Sequence, residues 1–417
     1  MLDADTKIWD DRAKAEWFRE YNGELHADPY PFYAYLVQNE PLFYMEDRYI
    51  WVAARHEDVQ TILKSPSFVR EAANAVPDMQ VQTPLPDWKP FVDLTANWML
   101  FRDPPTHTRL RGLVSHAFTP RTMERLRPRI RSIADDLAAG LTAESGTPDL
   151  IEAFAFPLPV IVIAEMLGVP PEDRELFKGW SNTVAKLLDV TDQPPGFMTH
   201  AGQVIGDMTA YFRQLAAERR KQPREDMLSD LLAIQQNEDR LTEDELISNC
   251  ILLLVAGHET TVNLIGNGAL ALLRHPEQQE RLRLQPELIG SAVEEMLRFE
   301  SPVQMTGRIA AEDVQIGGRT IRRGQFVNVM LGAANRDPAE FGGDSDRFDI
   351  ARTPNRHLAF ATGAHYCLGA PLARMEGEIA LTALFRSLPG MKAADEAPSW
   401  RPNLVFRGLQ QLRVHAE

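Results

Sequence analysis

The chain has 417 residues, enough for one large domain or two to three small ones. Its net charge of −15 argues against general nucleic-acid affinity, and two cysteines, Cys250 and Cys367, cannot build a disulfide framework. No apolar run approaches about 18 residues, so no membrane span is expected, and a terminus charged from Asp3 onward reads as neither signal peptide nor anchor. A cytoplasmic location follows as an expectation.

Taken in order, Asp28-Pro-Tyr-Pro31 leads into a short helix ending near Asn39. Leu42–Met45 and Tyr49–Ala53 flank a polar Glu46-Asp47-Arg48 turn and predict a hairpin. His56 to Lys64 is a short helix. Residues 72 to 97 carry Pro77, Pro84, Pro86 and Pro90, interleaved with Val81, Leu85, Leu94 and other apolar side chains. A long, apolar-studded loop in a compact domain is usually functional rather than mere surface. His107 and Arg111 then stand four apart, on one helix face. Residues 121 to 145 and 151 to 168 predict core helices. Arg174 to Asp189 and Gly202 to Lys221 predict two more, around a Pro-Pro-Gly break.

Thr242 and Glu245 form a capping box that opens a helix running to about Leu273. Its length of about 45 Å is enough to cross the molecule, so most of it must be buried. In its middle stand Ala256-Gly257-His258-Glu259-Thr260-Thr261, a local violation of helix propensity of the kind found at functional sites. A zinc site of the His-Glu-x-x-His type fails because residue 262 is Val. Glu295 and Arg298 can pair at i, i+3, which alone is a weak signal. Val314 to Gly317, Arg319 to Ile321 and Gln325 to Leu331 predict a small sheet, and Pro402 to His415 a terminal hairpin.

Cys367 sits just before a predicted helix that begins near Pro371. Amides and the dipole at a helix start favour thiolate, the form needed for metal ligation or nucleophilic attack. Amides 368 and 369 are the expected donors to the sulfur. A buried inert cysteine is the alternative. The spacing Phe-x-x-Gly-x-His-x-Cys-x-Gly (Phe360, Gly363, His365, Cys367, Gly369) resembles the cysteine-ligand loop of the cytochrome P-450 superfamily. Five fixed positions recur by chance on the order of 10⁻⁷ per start. Ala361 stands where many relatives have Gly.

The resemblance covers nearly the whole chain and implies one domain, mainly α with small β-sheets (α+β). The β-rich parts would lie at about 30–60, 300–335 and 400–417. A long central helix would lie over a haem b, with the cysteine loop beneath it. It implies Cys367 as axial iron ligand and Glu259 with Thr260 as the acid–alcohol pair of oxygen activation. Ala256 and Gly257 would leave room for dioxygen. His107, Arg111, Arg308 and His365 would hold the haem propionates, and Phe360, Gly363 and Gly369 would bring backbone close to the porphyrin. Glu295, Arg298 and Arg347 would form a structural ion network. Val81, Leu85, Leu94, Val303, Met305 and Val405 would line the substrate pocket. The implied activity is a soluble bacterial monooxygenase that hydroxylates or epoxidises a lipophilic small molecule with O2. A monomer is expected. Electrons would come from a ferredoxin or flavodoxin, with its reductase, docking near Arg109 and Arg374. A peroxide-driven peroxygenase and a non-catalytic haem sensor are the competing readings.

Overall fold

The computed structural model describes residues 9–19, 23–76, 86–143, 146–189, 193–238, 241–395 and 397–415. Val81 and Leu85 lie outside them.

The helix Glu243–Arg274 is the axis of the fold. Thr242 accepts from the Glu245 amide while Glu245 caps the Thr242 amide, the reciprocal box read from the sequence. At 32 residues it spans about 48 Å. It is buried from Leu246 to Val255 and again from Thr261 to Leu272. Each leucine so buried contributes about 1.5–3 kcal/mol of hydrophobic stabilisation. Helices Pro157–Leu167, Arg174–Leu187, Ile289–Phe299 and Ala370–Ser387 pack around it. Two of these contacts are tight at a glycine. A Cβ on Gly257 would lie 3.1 Å from Ile163, and one on Gly377 3.1 Å from Leu264. Gly257 therefore serves close helix packing on its Ile163 side, which the expectation of room for dioxygen did not foresee.

Five strands form the main sheet in the order β1 (Leu42–Met45), β2 (Ile50–Ala53), β7 (Phe326–Met330), β4 (Met305–Ala310), β3 (Phe68–Val69). β2 and β7 are parallel, Val52 opposite Asn328, so residues far apart in the chain share this sheet; the other pairs are antiparallel. β5 (Val314–Ile316) and β6 (Arg319–Ile321) pair by themselves through Gly317 and Gly318, both at positive φ as a tight hairpin turn demands. The expected small sheet is thus split, with β7 joining the larger one. The expected terminal hairpin is reduced to β8 (Lys392–Ala393) against β9 (Val414–His415), plus bridges Val303–Phe406 and Trp400–Leu409.

The largest hydrophobic cluster surrounds the long helix. A second gathers Trp17, Phe32, Tyr33, Met305 and Met330 on one face of the sheet, and a third lies on the other face. No helix among the described residues is long and apolar enough to cross a membrane.

Candidate active site

Cys367 lies between the 3₁₀ turn Gly363–His365 and the helix Ala370–Ser387. Its amide donates to the Phe360 carbonyl at 3.0 Å, closing the loop. Two constraints shape that loop. Gly363 has φ +75°, and a Cβ there would lie 2.6 Å from the Leu63 carbonyl oxygen. Glycine is therefore required by the neighbouring backbone of helix His56–Lys64. Ala361 also has positive φ, +54°, which explains physically why glycine suits this position. Gly369 meets no such restriction.

The backbone of Gly369 and Ala370 at the helix start favours thiolate at Cys367, Gly369 being one of the two positions expected from the sequence, and the Ala370 amide donates to the Cys367 carbonyl at 3.4 Å. Burial pushes the free thiol up, against those two amides and the charges of Arg111 and Arg374. Desolvation thus outweighs the helix start, and the thiolate needs a cation at sulfur to be the stable form. Cys367 is nevertheless only partly covered, in contrast to the fully buried Cys250. Among the described residues no group of three His, Cys, Asp or Glu side chains can hold a bare metal ion. A lone sulfur donor fits a metal that brings its own equatorial ligands.

A cationic cluster lies beside the loop. His107 and His365 meet with ring centroids 4.2 Å apart and their planes tilted by 43°. Burial, then the charges of Arg308, His107, Arg70 and Arg111, push His365 down to about 2. Burial and Arg111 lower His107 as well. Arg308 is only 3 % exposed and donates to the Gly307 carbonyl, while Arg111 donates to the Tyr366 carbonyl at 2.7 Å. Among the described residues neither arginine forms an ion pair with a carboxylate. Asp103, the nearby acid, is taken up by the amides of Arg70 and Glu71 and by Asn74. Buried cations without an anion are costly, so this cluster fits a ligand with its own carboxylates, such as the propionates of haem. Arg70 was not singled out in the sequence; nothing in Val69-Arg70-Glu71 marks it.

On the long helix, Ala256 is exposed and Thr260 partly so, although the turns on either side are buried. The helix stays continuous there, and the Thr260 hydroxyl donates to the Ala256 carbonyl at 3.0 Å without breaking the ladder. Phe360 and Leu368 of the cysteine loop pack on the same cluster that contains Leu254 and Val255. Glu259 turns away from Thr260. Its Oε1 accepts from Arg401 at 2.6 Å, an ion pair with no sequence signal. His258 binds the Leu254 carbonyl and contacts the Ser181 hydroxyl at 3.0 Å, tying the long helix to Arg174–Leu187.

Behind the loop, Glu295 and Arg298 are fully buried and doubly bonded at 2.8 Å. Arg298 also donates to the carbonyls of Asn335, Ser345 and Arg347. Arg347 contributes only that carbonyl. The second guanidinium on Glu295 is that of Arg352, at 3.2 Å, five residues beyond the predicted position. The irregular backbone between Phe341 and Phe360 carries no periodicity from which this displacement is legible.

Of the predicted pocket residues, Leu94 is buried against the central cluster, held there by Asn249, which accepts from the Met99 amide and donates to the Asn97 carbonyl. Val303 is partly buried beside Phe406. Met305 and Val405 instead enter the cluster of Trp17 and Tyr33; for Val405 this follows from the alternation of side chains along extended backbone, while Met305 is the first residue of β4. Phe406, next in the chain, packs on the central cluster instead. Arg109 and Arg374, the predicted docking residues, are both engaged, with Glu245 and with Glu294.

The family model for cytochrome P450 matches residues 42–288 and 285–389. The chain belongs to the cytochrome P450 family. The biotin biosynthesis cytochrome P450 of Bacillus subtilis is 42% identical over 95% of this chain and 98% of its own length. The cytochrome P450 monooxygenase PikC of Streptomyces venezuelae is 42% identical over 94% of this chain and 92% of its own. A solved structure of P450BioI, bound to acyl carrier protein carrying hexadec-9Z-enoic acid, superposes with a TM-score of 0.87. It is 40% identical over 95% of this chain and 99% of that one. This P450 is accordingly a haem b monooxygenase of the bacterial type. The family takes electrons from a redox partner and acts on lipophilic substrates.

Proposed function

We propose that this P450 inserts one oxygen atom from O2 into an extended lipophilic chain, with Cys367 as the residue that would hold the iron of its haem. The observation that carries the reading is the pairing of one cysteine at a helix start with the nearby guanidinium groups of Arg111 and the buried Arg308, neither held in an ion pair by a carboxylate among the described residues. A single thiolate, with cationic donors for two propionate carboxylates, is what haem b requires of its host. When bound, the haem supplies the redox chemistry on dioxygen, tuned by thiolate donation.

The chain's own groups do the rest. The amides of Gly369 and Ala370 moderate the charge on sulfur. His107, Arg111, Arg308 and His365, joined by Arg70, bind the propionates and fix the plane of the group. The uncovered face of Ala256 leaves space for a small ligand. The Thr260 hydroxyl donates a hydrogen bond there when it leaves the Ala256 carbonyl. Glu259 supplies protons to it after release from Arg401. Leu94, Val303 and Phe406 present an apolar lining that excludes water and orients substrate.

The aliphatic substrate class is drawn from relatives. One structure holds an acyl chain on its carrier protein, and a myxobacterial P450, 43% identical, was solved with myristic acid. A ferredoxin or flavodoxin is the proposed electron donor. The docking face is centred on Tyr366, 39 % exposed beside Arg111 and close to Cys367, rather than on the ion-paired Arg109. The presence of Glu259 and Thr260 favours this reading over a peroxygenase. Reconstitution with NADH, ferredoxin and ferredoxin reductase tests it. Hydroxylated fatty acid is the expected product. Turnover driven better by peroxide than by NADH would favour the peroxygenase, and the absence of any product the sensor.

A further inference from the structure

Glu259, Asn263 and Asn267 stand at i, i+4 and i+8 of the central helix, one polar stripe with a step of about 6 Å. All are at most 4 % exposed. Glu259 Oε2, both carboxamide atoms of Asn263 and Asn267 Oδ1 are buried without a hydrogen-bond partner. Buried polar groups are costly when they stay unsatisfied, so consecutive turns carrying them call for a common partner.

The segment facing the stripe is Arg401 to Gly408. Its ends are drawn together by the bridge Trp400–Leu409 and by the Arg401 amide on the Gly408 carbonyl at 2.9 Å. Asn267 Nδ2 donates to the Arg407 carbonyl at 2.9 Å, seating the segment on the helix. A Cβ on Gly408 would overlap the Asn263 carboxamide, so glycine is what lets that amide reach the segment. Along the same segment a cleft of about 20 Å³ is lined by His26, Tyr33, Gln304, Arg401, Arg407 and Gly408. That volume holds a water molecule, and the lining offers several polar partners. Arg401, whose guanidinium holds Glu259, is partly exposed and connects the cleft to solvent.

We propose that water enters between Arg401 and Gly408, is held by the Asn263 and Asn267 carboxamides, and carries protons along the stripe to the Glu259 carboxylate. The route approaches the acid from the C-terminal segment. It moves protons only; no bond to carbon is made or broken along it. It rests on the reading of Glu259 and Thr260 as the proton-delivering pair.

Two measurements on the full haem-loaded chain test it. In a high-resolution crystal structure, ordered water is expected within hydrogen-bond distance of Asn263; a dry carboxamide would overturn the route. In the reconstituted system, Asn263→Leu keeps the side-chain volume but removes the water site, while Asn263→Ser keeps a polar group in less volume. Product formed per NADH consumed should fall on the order of tenfold in Asn263→Leu, the value of one hydrogen bond, with a raised solvent deuterium isotope effect. Asn263→Ser should couple better than Asn263→Leu. A packing role orders the two variants the other way, and that order would refute the proposal. Thr260→Ala separates the two levels. If it uncouples and Asn263→Leu does not, the route falls and the acid–alcohol pair stands; if neither uncouples, both fall.

Discussion

The buried ion network behind the cysteine loop makes the most quantitative test of the fold. Glu295 accepts five hydrogen bonds, two from Arg298 and one each from the Asp349 amide, Arg352 and Asn355. Glu295→Gln keeps the shape, removes the charge and turns an NH2 group toward these donors. Breaking one partner of a buried pair costs about 3–5 kcal/mol, because the other charge is left uncompensated. Unfolding entropy of about 2.1 cal/mol/K per residue gives about 0.9 kcal/mol/K for 417 residues. The expected fall in Tm is therefore about 3–6 °C, followed by circular dichroism on the haem-loaded enzyme. Arg352→Ala should lose about 2–3 °C, since it removes charge-assisted hydrogen bonds of about 1.5–3 kcal/mol in total. Arg347→Ala, whose exposed side chain makes no contact with Glu295, should stay within about 0.5 kcal/mol of wild type. A Glu295→Gln protein melting within a degree of wild type, or Arg347→Ala falling further than Arg352→Ala, would refute the reasoning.

Two further outcomes follow from the loop and the helix notch. Thr260→Ala removes a hydroxyl whose one partner is the Ala256 carbonyl, so stability should change by less than about 1 kcal/mol. Substrate should still bind, while consumed NADH appears as hydrogen peroxide instead of product; unchanged coupling would remove Thr260 from proton delivery. In the cysteine loop, Gly363→Ala should destabilise by more than about 1–2 kcal/mol, combining left-handed backbone with the Leu63 carbonyl clash, whereas Ala361→Gly should be neutral or up to about 1 kcal/mol stabilising. Thermal melts that reverse this order would contradict the loop geometry.

What the sequence makes legible here is what depends on local chemistry. Thr242 and Glu245 announce their helix because capping is decided within four residues. Cys367, Gly363 and His365 announce the loop because their spacing is itself the motif. Groups whose partners arrive through irregular backbone are silent. Arg352 replaces Arg347, Arg401 takes Glu259, and Arg70 joins His365, each across a turn without periodicity. Gly257 illustrates a second limit: a glycine in a helix signals close approach, but not which neighbour approaches. Val405 illustrates a third. In the short bridged stretch from Val405 to Phe406, one residue decides which core a side chain enters, and alternation fixes the face only once the pairing is known.

The central claim is that Cys367 holds the haem iron through its sulfur. The absorbance of the reduced, carbon-monoxide-bound protein reads that bond directly, because thiolate donation shifts the principal haem band to the red. The account predicts the shifted band in the wild-type protein and its loss in Cys367→Ala. A haem-loaded wild type with the unshifted band, or a Cys367→Ala variant that keeps the shifted one, would contradict it.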